Sequence, residues 1–89
     1  DSNYVRKYDF VAAVDYCENG IMHLTVRNFF TVNDELELVI PHKQPIKFKP
    51  TTIFEENGEE TDTARHAMSK ITIPTDIEAP PRSLVRKKI

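Results

Sequence analysis

Cysteine and histidine are the first side chains that could do chemistry in this 89-residue chain. A thiol beside an imidazole can act as a nucleophile when a third group orients the imidazole. Cys17 and His23 lie on either side of an Asn19-Gly20 turn, so a hairpin would bring them together on its less apolar face, with Asp15 as the third group. A domain this small is filled by its own side chains and offers no cleft, so we predict no catalytic residue here.

Metal and cofactor binding can also be tested against the residue types. A structural zinc site needs about four Cys or His ligands at short spacing. The available ligands are Cys17, His23, His42 and His66, with no CxxC or HxxxH spacing among them. The chain contains two glycines, too few for a dinucleotide-binding GxGxxG motif, and it has no phosphate-binding loop. We therefore expect neither a metal nor a cofactor.

Charged residues are segregated along the chain, although the net charge is only −2. The acidic cluster comprises Glu55, Glu56, Glu59, Glu60 and Asp62. The candidate binding surface comprises Lys47, Lys49, Arg82, Arg86, Lys87 and Lys88. Small β-barrels bind single-stranded nucleic acid through aromatic residues interleaved with basic ones, and Phe48 lies between two of these lysines. In the alternative interpretation, strand alternation points Phe48 inward and leaves the lysines on a solvated face.

Alternating apolar and polar residues predict β-structure almost throughout. The first strand should bury Tyr8, Phe10, Ala12, Val14 and Tyr16 on one face. Further strands are expected at 22–27, 35–40, 46–49, 51–55, 59–63, 70–73 and 84–86, with one possible helical turn at 63–68.

The connection after the second strand is unusually apolar for an exposed loop, so Phe30 and Val32 should fill one end of the core. Short strands separated by turn signals indicate a small closed β-barrel or a sandwich. We favour the barrel, because closure removes unpaired strand edges.

The composition is that of one soluble domain, with 39% hydrophobic and 29% charged residues. No apolar stretch approaches the roughly 20 residues that span a bilayer, and we expect no membrane contact. One cysteine excludes an internal disulfide and suits a reducing compartment, so we expect a cytoplasmic protein. The polar start without an initiator methionine suggests that residues 1–89 are a fragment of a longer protein, and its place at the C-terminus is implied only by the resemblance described next.

One ordered set of motifs is distinctive. It comprises VRNFFTVNDELE at 26–37 with Ile40-Pro41, and around it Tyr16, Asn19-Gly20, ARHA at 64–67 and LVR at 84–86. In this arrangement the chain resembles the C-terminal domain of peptidase family U32, whose members include collagenase-like proteases. The family's turn carries glycine-aspartate, whereas this chain has Asn33 before Asp34, and asparagine also tolerates positive φ.

The resemblance implies a closed six-stranded β-barrel like the second domain of elongation factor Tu. It also implies a longer parent with a catalytic domain on its N-terminal side, which acts in proteolysis or, in some bacterial branches, in hydroxylation of a tRNA uridine. The family's catalytic and cluster-binding cysteines belong to that larger domain, and none corresponds to Cys17.

Two functional hypotheses follow. The chain is either an accessory module that positions a protein, peptide or tRNA substrate, or a structural domain that docks on its own catalytic domain or on a second copy. An autonomous protease is disfavoured, since the chain has no nucleophile in a cleft.

Overall fold

A computed structural model describes residues 7–88, and within that range the chain is built of β-strands and turns. The ten strands are β1 (Tyr8–Glu18), β2 (Ile21–Val26), β3 (Phe30–Thr31), β4 (Leu36–Val39), β5 (Ile46–Phe48), β6 (Ile53–Glu55), β7 (Glu60–Thr61), β8 (Thr63–Ala64), β9 (Lys70–Pro74) and β10 (Leu84–Lys88). The prediction of a helical turn at 63–68 is wrong, because Thr63 and Ala64 form a strand that pairs with β3. The all-β prediction is confirmed.

Eight strands form one curled antiparallel sheet in the order β5-β4-β10-β1-β2-β9-β6-β7, and β3 pairs with β8 beside it. This differs from the expected closed barrel of six strands. The order is linear, so β5 and β7 are its edges within the described residues. Strands β5 and β7 have three and two residues, and each pairs with a single neighbour. The likeness to elongation factor Tu stays a prediction.

Two irregularities in β1 change which residues face the core. The pairing of β1 shifts between Phe10 and Ala12 and again between Val14 and Tyr16, so one extra residue is inserted at each place. A bulge of this kind reverses the alternation beyond it. Val11, Ala12 and Val14 are therefore buried, whereas Phe10 and Tyr16 point outward with 43% and 45% exposure. The predicted buried face of the first strand is wrong for these two aromatic residues and for Tyr8, which lies two positions before Phe10 in the same register and shares its outward face.

The remaining long strands follow the predicted alternation, and their inward residues form one core. Met22, Leu24 and Val26 are fully buried, as are Leu36 and Leu38 on β4. Burial of one such side chain contributes about 1.5–3 kcal/mol to the free energy of folding, so these inward residues together are a main source of the domain's stability.

The apolar connection after β2 packs into the core, as the sequence predicted. Phe30 is fully buried, and Val32 packs against the core while remaining half-buried. Phe30 pairs with Ala64, so the two-stranded sheet of β3 and β8 carries this residue into the core. The prediction for Phe30 is confirmed.

The first hairpin has the turn that its sequence predicts. Asn19 and Gly20 both have positive φ, 53° and 78°, as a tight two-residue hairpin requires. The turn sets the pairing of Glu18 with Ile21 and Cys17 with Met22. This hairpin is the centre of the sheet, with β10 on one side and β9 on the other.

Candidate functional site

A row of paired residues crosses four neighbouring strands on the face of the sheet that points away from the core. Phe10 on β1 pairs with Arg86 on β10, Arg86 with Glu37 on β4, and Glu37 with Lys47 on β5. Directly paired residues project from the same face of a sheet. The fold therefore brings two of the predicted basic residues together beside an exposed aromatic ring.

Tyr8 and Lys88 extend this row along the strands. They pair with each other two positions beyond the pair formed by Phe10 and Arg86, so they share its face. The Arg86 guanidinium carbon lies 3.8 Å from the centre of the Tyr8 ring, a distance typical of a cation–π contact. We call Tyr8, Phe10, Lys47, Arg86 and Lys88 the basic-aromatic face. Lys47 and Lys88 are exposed there, and neither forms an ion pair with a described residue.

Arg86 itself is held by the fold. Its Nε donates a hydrogen bond to Glu37 Oε1 at 2.8 Å, and a second guanidinium nitrogen lies 2.6 Å from the same oxygen. The two side chains are only 22% and 14% exposed. Arg86 is thus a partly buried ion-pair partner as well as a member of the basic-aromatic face.

Lys87 lies next in sequence but faces the other way, because it pairs with the buried Leu36. Its Nζ donates to the Phe29 carbonyl at 3.3 Å and lies 3.9 Å from a carboxylate oxygen of Asp34. The ammonium group is also 5.7 Å from the centre of the Phe29 ring. The fold therefore separates Lys87 from its two basic neighbours in sequence.

The last two predicted basic residues, Lys49 and Arg82, lie outside the basic-aromatic face. Lys49 is exposed just beyond the end of β5, one residue past Phe48, which packs against the core as the alternative interpretation expected. Arg82 is exposed in the turn before β10, where its φ is 75° and its backbone N–H donates to the Val14 carbonyl. This turn and Lys88 are at opposite ends of β10, so the structure does not bring Arg82 to the basic-aromatic face.

The expected thiol–imidazole neighbours are on opposite faces of the sheet, so that prediction is wrong. The bulge at Asp15 turns Tyr16 outward, and its ring stacks on the His23 ring with centroids 4.1 Å apart. Cys17 consequently packs against the core, and its Sγ accepts a hydrogen bond from the Ala79 N–H at 3.3 Å.

Asp15 has partners other than the histidine. Its carboxylate accepts hydrogen bonds from Thr25 Oγ1 at 2.9 and 3.1 Å and lies 3.4 Å from Lys70 Nζ. Lys70 also donates to Thr25 Oγ1 at 2.7 Å. These contacts link β1, β2 and β9. They engage the Asp15 carboxylate with Thr25 and Lys70, so it does not serve as the third group that orients an imidazole.

The structure also bears on metal binding and on membrane-spanning helices. Residues 7–88 contain no group of three or more Cys, His, Asp or Glu side chains placed to hold a metal ion. Within those residues there is likewise no helix with the length and apolar character needed to cross a membrane.

An aromatic groove, which the sequence analysis missed, lies on the outer face of β1, β2, β9 and β6. Pairing places Tyr16 beside His23, His23 beside Thr72 and Thr72 beside Phe54. The groove has a volume of about 660 Å³. The sequence feature that could have indicated the groove is the aromatic content of these strands. The prediction missed it because simple alternation assigned Tyr16 to the core.

These features define a small antiparallel β domain with aromatic and charged outer surfaces. Residues 6–86 match the family model described as "Peptidase family U32 C-terminal domain". The chain therefore belongs to this family and corresponds to its C-terminal domain.

Three relatives illustrate the family. The chain is 37% identical over 82 residues to a Bacillus subtilis (strain 168) protein named tRNA hydroxylation protein P1, covering 90% of this chain and 19% of that relative. Two crystal structures of the C-terminal domain of a Geobacillus thermoleovorans protein, assigned to the U32 peptidases, share its fold. The selenomethionine variant has 27% identity and a TM-score of 0.82, covering 89% of this chain and 99% of that chain. The other structure has 26% identity and a TM-score of 0.83, covering 91% and 93%.

Proposed function

We propose that this chain is a non-catalytic accessory domain that helps a larger family U32 protein to bind tRNA. The observation that carries the proposal is the basic-aromatic face, where β5 and β10 carry Lys47, Arg86 and Lys88 and β1 carries Tyr8 and Phe10, with Glu37 of β4 between Lys47 and Arg86. The name of the Bacillus subtilis relative supports tRNA as the substrate class.

Each side chain of this face has a distinct task in the proposal. The exposed ammonium groups of Lys47 and Lys88 contact phosphates, and Phe10, at 43% exposure, offers its ring to an unpaired base. Arg86, held by Glu37 and stacked on Tyr8, fixes the position of the face. Lys49 extends the phosphate contacts beyond the end of β5. Arg82 and Lys87, which the fold holds away from this face, are secondary candidates.

The test is a titration of the 89-residue chain with bulk tRNA at low and at physiological salt, in which fluorescence anisotropy measures binding. Binding should be weak, since the net charge of −2 gives little long-range attraction. It should weaken steeply with salt, because phosphate contacts release counterions. Combined Lys47→Glu and Lys88→Glu substitution should lower affinity by about tenfold or more at low salt. The control is Arg65→Glu, which reverses an exposed charge elsewhere on the surface and should change affinity less than about twofold.

Two results would contradict tRNA binding by this face. One is the absence of binding at low salt. The other is binding that neither salt nor the double substitution weakens.

Catalysis is proposed to reside outside this chain, in the larger part of the parent protein. The single thiol packs against the core, on the opposite face of the sheet from His23. The chain should therefore leave casein and gelatin intact, and cleavage that disappears in Cys17→Ala would overturn this assignment. A cytoplasmic location accompanies the proposal, because tRNA modification takes place there.

A second candidate function is structural docking, either on the parent's catalytic domain, on a peptide substrate or on a second copy. It is favoured by exposed apolar side chains, among them Phe29 at 50% and Met68 at 76% exposure. Light scattering coupled to size-exclusion chromatography would detect a dimer of the isolated chain. A monomer that binds tRNA would favour the first function.

A further inference from the structure

The aromatic groove differs from the basic-aromatic face in the charge of its walls. Beside its aromatic rings it is lined by Asp15, Glu55 and Glu56, and its one lysine is Lys70. Lys70 is already bound to Asp15 and Thr25. Glu55 pairs with the buried Ile71, so its side chain leaves from the other face of the sheet. Glu56 is exposed and forms no ion pair with a described residue. The groove therefore repels a phosphate backbone and attracts a cation.

The shape of the groove suits a flat group. Thr72 is the smallest member of the paired row and lies between His23 and Phe54. Strands are about 4.8 Å apart, so the two aromatic residues are separated by roughly 10 Å across a shallow notch. The stacked ring of Tyr16 adds a further aromatic surface, 45% exposed, at the His23 side.

From this arrangement we infer that the groove binds an arginine side chain presented by a protein segment. A guanidinium group is planar, stacks on aromatic rings and forms paired hydrogen bonds with a carboxylate, whereas an ammonium group does not stack. Glu56 supplies a carboxylate, and Tyr16, His23 and Phe54 supply the aromatic surface. Ile21, 39% exposed at the rim, gives the apolar part of such a segment a contact. This site is separate from the proposed tRNA surface and does not depend on it.

The experiment is a proton–nitrogen NMR titration of the 89-residue chain with N-acetyl-arginine amide. Saturable shifts should appear for residues 15–23, 54–58 and 70–72, with a Kd of about 1–10 mM for so small a probe. N-acetyl-lysine amide should bind at least about threefold more weakly, because it lacks the stacking plane. Adenosine monophosphate, the nucleotide probe, should leave these residues unshifted.

Two variants test the named contacts, and a third is the control. Glu56→Gln keeps the shape of the side chain and should weaken arginine binding at least about threefold. Tyr16→Leu, at an exposed position, should do the same by removing a ring. Glu35→Gln, an exposed glutamate elsewhere on the sheet, is the control and should bind like the parent chain. Unchanged spectra away from the groove establish that each variant is folded.

Several outcomes would overturn the proposal. They are no shift in the groove up to about 20 mM arginine amide, equal binding of lysine amide, undiminished binding to both groove variants, and preferential binding of the nucleotide. The last outcome would make the groove a nucleobase site.

Discussion

Arg86 and Glu37 join β10 to β4 through an ion pair in which two guanidinium nitrogens lie 2.6 and 2.8 Å from one carboxylate oxygen. Both side chains are mostly buried, so water screens this pair less than a surface pair. The residue that fixes the position of the basic-aromatic face in the proposed function is thus also a structural element.

Replacement of Arg86 should therefore destabilise the domain before it affects any ligand. We expect Arg86→Ala to lower the free energy of unfolding by about 1–3 kcal/mol, because Glu37 would be left without its charged partner. Urea unfolding followed by far-ultraviolet circular dichroism measures this change. Lys88→Ala, two residues away and exposed, is the control and should change stability by less than about 0.5 kcal/mol. Equal stability of the two variants would show that the ion pair contributes nothing.

Neighbouring phenylalanines provide a matched test of the core end. Phe30 is fully buried and Phe29 is 50% exposed. Phe30→Ala should lower the free energy of unfolding by about 3–5 kcal/mol through lost burial and a residual cavity. Phe29→Ala should cost less than about 1 kcal/mol. Thermal denaturation compares the two, and a melting temperature of Phe30→Ala within a degree or two of the parent's, on the order of experimental error, would contradict the placement of Phe30.

The turn between β1 and β2 should discriminate between its two residues. Gly20 has a φ of 78°, so a side chain there is strained, and Gly20→Ala should cost about 1–2 kcal/mol. Asn19→Gly keeps a residue that tolerates positive φ and should change stability by less than about 0.5 kcal/mol. Urea unfolding again gives both values. A stability loss of the same size in both variants would mean that backbone conformation is not the cause.

Cys17 should react slowly with thiol reagents in the folded chain. Cys17 is half-buried, and its sulfur packs against the core and accepts the Ala79 N–H, so a reagent reaches it less easily than in the unfolded chain. We expect modification by Ellman's reagent at least about tenfold slower than in concentrated guanidinium chloride. The chain has one cysteine, so the absorbance change reports this residue alone. Equal rates in the two solvents would place the thiol at the surface.

Local sequence signals were sufficient to predict much of the architecture. Strict alternation at Met22, Leu24 and Val26 predicted the inward face of β2, and Asn19-Gly20 predicted the tight turn before it. The apolar connection predicted a buried Phe30. Such signals act between residues a few positions apart, so they are readable in the chain itself.

Tertiary structure decided what depends on register and on pairing between distant segments. One inserted residue at Asp15 reversed the faces of Tyr16 and Cys17, which separated the thiol from His23 and created the aromatic groove. The partner of Arg86 is 49 positions away along the chain, and neither residue signals the other in sequence. Composition and alternation thus determined a β domain with a one-sided core. Bulges and strand order, which follow from the packing of the whole sheet, determined which side chains meet on its outer face.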